Sequence, residues 1–398
     1  MLLRLFSHDH IPASTRVVVA MSGGVDSSVT AALVAEAGYD VVGITLQLYD
    51  HGLMTAKKGA CCAGQDIYDA QRVAEQIGFP HYVLDYEKTF RQEVMEDFVE
   101  SYLHGETPIP CLRCNQKVKF RDLLTTAKDL GASALVTGHY VRRVDGGTEG
   151  TAQLCRAVDL SRDQSYFMFA TTPEQLNFLR FPLGDMQKTA VRAHAHRFGL
   201  AIAEKPDSQD ICFVPDGKYA NIVEKLRPGS LEAGDIVNTN GTVLGRHTGI
   251  INFTIGQRKG LALGTLKKPE SQSQDDADKH TTTPLYVIAL DPQNHRVVVG
   301  PRDLLACSQL ILKDESWLTS RDTLQDRTVF IKYRSTQPPV PAFIQFSTEK
   351  GTCVTLHQPE FGVSPGQACV VYQDDQVLGG GWIARAPTQH TQGFMSLS

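Results

Sequence analysis

The sequence lacks long hydrophobic runs and an excess of positive charge. No apolar run reaches the roughly 18 residues that a membrane-spanning helix needs, and residues 1–14 show no long apolar core or cleavage site of a signal peptide. Lys and Arg number 39 against 44 Asp and Glu, giving a net charge of −5, so any basic surface for nucleic acid has to be local. We therefore expect a cytoplasmic protein without a membrane partner.

The sequence also lacks the even, closely spaced cysteines of a disulfide framework. Its 398 residues contain nine cysteines, and an odd count in a chain of this length is typical of reduced thiols available for chemistry. Hydrophobic residues make up 42% and charged residues 21%, which excludes a disordered or fibrous chain. The length favours two or three globular domains.

In the first third of the chain, short β-rich runs alternate with helical patterns. We predict strands over residues 16–21, 41–48, 82–85 and 135–137, and helices over residues 29–37, 66–77, 87–103 and 117–130. This alternation predicts an α/β fold with a doubly wound parallel sheet. In such sheets ligands bind beyond the carboxyl ends of the strands.

We predict three domains from the changes in pattern along the chain. Residues 1–215 form the α/β domain, in which residues 142–160 form a hairpin. Residues 216–284 form a small β domain whose last part, residues 265–284, is a polar and flexible insertion. Residues 285–398, where short strands recur, form a second, barrel-like β domain.

The loop between the first strand and the first helix is suited to binding an anion. Residues 19–29 read VAMSGGVDSSV; the glycines let the backbone approach closely, and amides at the helix N-terminus point at the anion. The loop is neither a Walker A motif nor a dinucleotide-binding motif, because the Gly-Lys-Ser/Thr and G-x-G-x-x-G patterns are missing. Asp26 cannot attract phosphate by charge, so we predict that it holds a phosphate-bound Mg²⁺ ion.

Two polar segments carry the cysteines with the strongest signs of reactivity. Residues 107–120 read TPIPCLRCNQKVKF and contain Cys111 and Cys114, and residues 205–215 read KPDSQDICFVP and contain Cys212. Basic neighbours and the start of a predicted helix surround Cys114, and both features lower a thiol pKa. We therefore expect Cys114 to be a good nucleophile.

These segments resemble two nested families. SGGVDSS at residues 22–28 resembles the loop of the N-type ATP pyrophosphatases, which cleave ATP between the α and β phosphates and adenylate a substrate oxygen. Across essentially the whole chain, the sequence resembles the tRNA-specific 2-thiouridylases, bacterial enzymes that place sulfur on the wobble uridine of tRNA. The segments that carry this resemblance are PCLRCNQKVKF, TGHY, SRDQSYF, DSQDICF, FTIGQRKGL, KYR, SPGQ and LGGG.

The resemblance implies a role for two sets of residues. The ATP contacts would be Ala20, Met21, Ser22, Gly23, Gly24, Val25, Asp26, Ser27, Ser28, Leu46 and Gly138. The tRNA contacts would be His139, Arg162, Asp163, Gln164, Tyr333, Arg334 and Gln367. The implied partners are the anticodon arm of tRNA and a persulfide donor, either a cysteine desulfurase or a relay carrier, and the implied state is a monomer.

The resemblance also implies a mechanism. Uridine O2 would attack the α-phosphorus of Mg²⁺-bound ATP, which gives an adenylated base and pyrophosphate. Cys212 would carry a persulfide, and its sulfur, as persulfide or as released hydrosulfide, would attack C2 and expel AMP. Cys114 would resolve that persulfide and leave a Cys114–Cys212 disulfide.

The sequence departs from the family pattern at Cys111, where the family often has an aspartate as candidate general acid/base. Either Cys111 or water takes that role, or the role is dispensable. Alternatively, Cys111, Cys114 and Cys212 hold an iron–sulfur cluster with one open iron that carries a sulfide. An ATP-dependent ligase and a non-enzymatic RNA-binding module are the rival functions; the first leaves both reactive cysteines unused, and the second predicts no pyrophosphate release.

Overall fold

The computed structural model describes residues 3–6, 12–49, 62–146, 151–207, 211–214, 217–261, 284–347 and 351–384. The strands in these ranges are β1 (Arg16–Ala20), β2 (Asp40–Gln47), β3 (His81–Asp85), β4 (Ala134–Val136), β5 (Val141–Asp145), β6 (Ala152–Arg156), β7 (Leu179–Arg180), β8 (Gly234–Asn238), β9 (Val243–His247), β10 (Tyr286–Asp291), β11 (Arg296–Gly300), β12 (Ala306–Trp317), β13 (Thr328–Lys332), β14 (Val340–Ser347), β15 (Gly351–Phe361), β16 (Ala368–Gln373) and β17 (Gln376–Ile383).

Uninterrupted α-helices occupy Val25–Glu36, Cys62–Ile77, Pro173–Phe178, Lys188–Arg197 and Tyr219–Leu226. Two longer helices contain a π-helical middle. The first comprises Glu87–Phe90, Arg91–Met95 and Glu96–Leu103, and the second, which we call the cysteine helix (residues 110–129), comprises Pro110–Arg113, Cys114–Leu123 and Leu124–Asp129. Among the described residues, no helix combines the length and apolar character needed to cross a membrane.

The predicted parallel sheet is confirmed. Its strand order is β3-β2-β1-β4-β7, and every neighbouring pair is parallel. Residues 17–20 of β1 (VVVA) are apolar because both faces of the sheet are covered. Val18 faces Leu112 and Phe120 of the cysteine helix, whereas Val17 packs on the opposite side with Val29.

The predicted C-terminal barrel is confirmed as well, with an addition that the sequence did not indicate. Strands β12, β15, β14, β13, β16 and β17 form a sheet that closes through the pairing of β12 with β17. The predicted hairpin forms from β5 and β6, but β6 pairs with β17 and so extends the barrel sheet. The α/β domain and the barrel therefore share a continuous ladder of backbone hydrogen bonds.

Strands on both sides of the predicted boundary at residue 284 pair with one another. Strands β10 and β11 join β8 and β9 in one four-stranded sheet, in the order β10-β11-β8-β9. The parallel pairing of β11 with β8 crosses the polar insertion in sequence, and local residue patterns do not encode such a long-range pairing. Of the predicted insertion, residues 265–283 lie outside the described residues, as do residues 215–216 at the first predicted boundary.

Tyr166 joins the α/β domain to the barrel through a pair of buried hydrogen bonds. Its hydroxyl donates to Ala368 O at 3.0 Å and accepts from Ala368 N at 3.2 Å. Ala368 is the first residue of β16, so this tyrosine satisfies both backbone groups of a buried barrel residue.

We predict that Tyr166→Phe lowers the free energy of unfolding by about 1–3 kcal/mol, because it leaves two buried backbone groups without a partner. Urea denaturation measured by circular dichroism tests this expectation. Tyr82→Phe, at a position that is exposed on β3, is the matched control and should change little. Equal effects of the two substitutions would contradict the prediction.

Candidate active site

The loop after β1 lies where the sequence predicts a phosphate site. Gly23 adopts a positive φ of 72°, and a Cβ at this position would collide with the carbonyl oxygen of Asp66. Gly138, which follows β4, approaches the same loop, since a Cβ there would lie 2.9 Å from Ser27 N. Two strand ends therefore converge on the loop, and both positions need glycine.

The hydroxyl groups of the loop differ in their hydrogen bonding. Ser27 Oγ accepts from Ser22 N at 3.1 Å and lies 3.2 Å from Gly24 O. Ser28 Oγ is fully buried and has no hydrogen-bond partner within the described part of the chain. A buried hydroxyl without a partner is costly, and a phosphate oxygen would satisfy it.

Lys188 is a buried cation at the loop that the sequence analysis missed. Its side chain is 9% exposed, and Nζ lies 2.7 Å from both Asp26 Oδ1 and Asp207 Oδ1. Tyr140 Oη also donates to Asp26 Oδ1 at 2.8 Å. Since Mg²⁺ needs only one or two protein carboxylates when phosphates supply further oxygens, Asp26 fits the predicted ion, and this role stays a prediction.

Lys205 is a second cation that the sequence analysis did not assign. Its Nζ donates to Gly23 O at 3.0 Å and pairs with Asp66 and Asp69 at 2.6 Å each. The only sequence signal was its place at the start of the polar KPDSQDICFVP segment. Both lysines lie beside the phosphate loop and are neutralised there by carboxylates.

Asp207 connects the loop to the segment that carries Cys212. Besides Lys188, its carboxylate pairs with Arg162 at 3.0 Å and with Arg192 at 3.4 Å. These cations hold the pKa of the Asp207 carboxyl below its usual value, although burial opposes them. The chain then reaches Cys212 within five residues, of which residues 208–210 lie outside the described ones.

The cysteine helix is fastened to the barrel at its start. Thr107 N donates to Pro365 O at 2.8 Å, and Gln367 Nε2 donates to Thr107 O at 3.0 Å. Gly366 approaches closely with a φ of 82°, since a Cβ there would lie 2.9 Å from Glu106 Cβ. Gln367 therefore has a partner inside the protein, and its predicted tRNA contact remains a prediction.

The three cysteines singled out from the sequence act on one another. Cys111 is exposed near the start of the cysteine helix, and Cys114 is buried one turn later. Cys212 is exposed as a residue, but desolvation of its thiol, followed by the charges of Cys114 and Cys111, raises the pKa of Cys212 to about 12. No disulfide joins Cys114 to Cys212, and Tyr49 Oη donates to Cys212 O at 2.6 Å.

The expectation of a lowered pKa at Cys114 is wrong. Burial raises the pKa of this thiol and outweighs the opposing charge of Lys119. The helix begins at Pro110, so Cys114 does not lie at its N-terminus. Arg113 forms an ion pair with Asp97 at 3.2 Å, and Lys117 forms one with Glu93 at 2.8 Å, so carboxylates neutralise both cations.

His139 follows Gly138 at the end of β4 and contacts the cysteine helix. Its Nδ1 lies 2.8 Å from Thr137 Oγ1, and its ring contacts Phe120 edge to face. Burial, followed by the charge of Lys119, lowers the pKa of His139 to about 3. The imidazole is therefore neutral near pH 7 and suited to hydrogen bonding rather than ion pairing.

The residues predicted to contact tRNA fall into two groups. Arg162 and Arg334 are exposed, which suits contact with phosphate. The carboxylate of Asp163, in contrast, is only 2% exposed and accepts hydrogen bonds from Ala157 N and from the amide and hydroxyl of Ser165. Its burial favours a supporting role for this loop.

Tyr333 and Gln164 also have partners inside the protein. Tyr333 is buried, and its hydroxyl donates to Glu360 Oε2 at 2.7 Å. Gln164 Oε1 accepts from Tyr140 N at 2.9 Å, which connects the loop to the strand end beside His139. Direct contact of these side chains with tRNA stays a prediction.

Comparison with known proteins identifies the family. Family models for a tRNA methyl transferase HUP domain, a tRNA methyl transferase PRC-barrel domain and an aminomethyltransferase β-barrel domain match residues 15–216, 221–301 and 307–383. The tRNA-specific 2-thiouridylase MnmA of Rhodospirillum centenum is 61% identical over 378 residues, which cover 95% of this chain and 94% of the relative. This chain belongs to the tRNA-specific 2-thiouridylase family.

A second family member supports the assignment over a similar length. The tRNA-specific 2-thiouridylase MnmA of Parvibaculum lavamentivorans is 59% identical over 383 residues, covering 94% of this chain and 92% of the relative. The PRC-barrel match at residues 221–301 includes β10 and β11, in agreement with their pairing in the central sheet.

We predict that the buried, neutral His139 makes the free energy of unfolding of this family member decrease at acidic pH. The pKa of His139 in the folded state lies below the ordinary value near 6.5. The contribution of neutral His139 to stability is therefore complete above pH 6.5 and decreases as the pH falls below 6.5, because the unfolded chain then binds a proton that the folded chain does not. Between pH 7 and 5, the wild type should lose up to about 2 kcal/mol more unfolding free energy than His139→Gln. Parallel urea titrations of both proteins test this, and an identical loss in both would contradict it.

Proposed function

We propose that this chain is an ATP-dependent sulfurtransferase that replaces O2 of the wobble uridine of tRNA by sulfur and releases AMP and pyrophosphate. The observation that carries the proposal is the set of contacts at the carboxyl ends of the parallel strands. There Gly138 approaches the phosphate loop, His139 contacts Phe120 of the cysteine helix, and Tyr49 bonds to the backbone of Cys212. Membership of the 2-thiouridylase family supports the same reaction.

The phosphate loop supports the first half of the reaction. A carbonyl oxygen at C2 is a poor leaving group, and its attack on the α-phosphorus of ATP converts it into a good one. The close approaches at Gly23 and Gly138 and the partnerless Ser28 hydroxyl favour bound phosphate. Lys188 and Lys205 supply positive charge for the triphosphate, because each can exchange a carboxylate partner for a phosphate oxygen.

The cysteines support the second half of the reaction. Cys212 is an exposed residue of its loop. It receives sulfur from a donor protein and then carries it as a persulfide. The terminal sulfur attacks C2, and the C2–O bond breaks with release of AMP. The Cys114 thiolate then attacks Cys212 Sγ, the bond to the transferred sulfur breaks, and its electron pair stays on the sulfur of 2-thiouridine. A dithiol reductant restores both cysteines by reducing the resulting Cys114–Cys212 disulfide.

The cluster alternative has less support. Among the described residues, no group of three or more His, Cys, Asp or Glu side chains is arranged to hold a metal ion. The three thiols influence one another without forming such a group, so we derive no step through a cluster. Cys111 stands at the position of the family's usual aspartate, and its exposure leaves room for a proton-transfer role.

The tRNA half of the proposal depends on local charge. With a net charge of −5, the chain has to hold the anticodon arm through basic residues near the site, such as Arg162 and Arg334. The uridine would leave its stack to enter the site, and neutral His139 would form a hydrogen bond to the base or stack on it.

We predict that Cys114→Ser and Cys212→Ser both abolish 2-thiouridine formation and retain pyrophosphate release, because adenylation does not use the thiols. The assay incubates metal-free protein with ATP, Mg²⁺, tRNA and a persulfide donor, followed by mass analysis of the nucleosides. Cys353→Ser, at a half-buried barrel cysteine, is the control. Sulfur transfer that needs iron and sulfide reconstitution would favour the cluster, and pyrophosphate without sulfur under either condition would overturn the thiolase proposal.

We predict that tRNA affinity falls steeply with salt and that Arg334→Ala reduces the slope of log Kd against log salt by about 1. Filter binding at several salt concentrations measures the slope. Arg16→Ala is the control, since Arg16 lies at the amino end of β1, on the opposite edge of the sheet. A salt-independent affinity would count against tRNA binding through phosphate contacts.

A further inference from the structure

The cations of the cysteine helix differ in what they face. Arg113 and Lys117 pair with Asp97 and Glu93, as described above. Lys119 is half-buried and forms no ion pair with a carboxylate in the described part of the chain. Its charge acts instead on the reactive groups. It opposes the rise that burial causes in the pKa of Cys114 and Cys212, and it adds to the fall in the pKa of His139.

The π-helical segment explains how Lys119 reaches Cys114. An α-helix advances by about 100° per residue, so a residue five positions later would lie about 140° around the helix. Cys114–Leu123 is π-helical, and hydrogen bonds in a π-helix run from residue i to i+5. Lys119, five residues after Cys114, therefore lies one turn further along on the same side of the helix.

Asn115 fixes the position of the Lys119 ammonium group. Its Oδ1 accepts from Lys119 Nζ at 3.1 Å, and its Nδ2 donates to Phe167 O at 3.1 Å. Asn115 is buried, so this pair of hydrogen bonds holds the lysine against the loop that follows Arg162. The ammonium is therefore held on the residue that follows Cys114 and does not move freely in solvent.

We propose that Lys119 is a positioning residue that balances the negative charge of the Cys114 thiolate during sulfur transfer. An anionic sulfur in a buried place needs a compensating cation, and Lys119 is the cation that the cysteine helix directs to it. The inference rests on the proposed function, in which Cys114 attacks Cys212 Sγ. As that bond forms, the negative charge passes from Cys114 to the sulfur that leaves with uridine.

A single-turnover experiment with persulfide-loaded protein, ATP and tRNA, in the absence of reductant, tests the inference. We expect Lys119→Met to slow 2-thiouridine formation by about tenfold or more, with pyrophosphate release unchanged. The transferable sulfur should remain attached to Cys212, either as persulfide or as a protein–tRNA adduct that dithiothreitol releases. Lys119→Arg should restore most of the rate, because it keeps the charge.

Two further measurements separate the possible failures. Alkylation of Cys114 by iodoacetamide, followed by peptide mass analysis, should be slower in Lys119→Met without any tRNA. Lys128→Met, which removes an exposed lysine of the same helix paired with Glu174, should behave like the wild type. If the wild type makes no 2-thiouridine, the proposed function fails. If the wild type and Lys119→Met transfer sulfur equally fast and are alkylated equally fast, only the Lys119 inference fails. The same conclusion holds if Lys119→Arg does not restore the rate.

Discussion

The rest of the site depends on the attachment of the cysteine helix to the C-terminal barrel. Thr107 is held by Pro365 and Gln367, and one turn into the helix the Arg113 guanidinium lies 4.0 Å over the Trp382 ring. A cation over a desolvated indole contributes up to about 2 kcal/mol. The barrel therefore sets where Cys111 and Cys114 stand, in addition to any contact that it makes with RNA.

A second set of contacts links the phosphate loop to the segment that carries Cys212. Lys188 bridges Asp26 of the phosphate loop and Asp207, which precedes Cys212 by five residues. If phosphate draws Lys188 away from Asp207, the carboxylate retains Arg162 and Arg192 as partners. The arrangement allows nucleotide binding to alter the segment that carries Cys212 without leaving a buried charge unpaired.

What could be predicted from the sequence was local. The apolar run of β1 and the glycines at residues 23 and 24 determine a strand and a loop within a few residues, and the structure has both. The pairing of β6 with β17 and of β11 with β8 joins segments far apart in sequence, so residue patterns could not predict either. Lys188 could not be identified for the same reason. It is a candidate site residue because it pairs with Asp26 and Asp207, and only the fold brings these residues together.

The error at Cys114 shows why burial and reactivity have to be considered together. Neighbouring positive charge in the sequence suggested an easily ionised thiol, but two of the three cations are neutralised by carboxylates, and desolvation dominates. A buried thiol that ionises reluctantly is protected from solvent oxidants and stray electrophiles while no substrate is bound. The same burial strengthens any remaining cation, because a charge acts over a longer range at low dielectric constant. In the proposed mechanism, burial would therefore keep the Cys114 thiol protonated until substrate binds, and the ammonium group of Lys119 would supply the compensating charge when the thiol ionises.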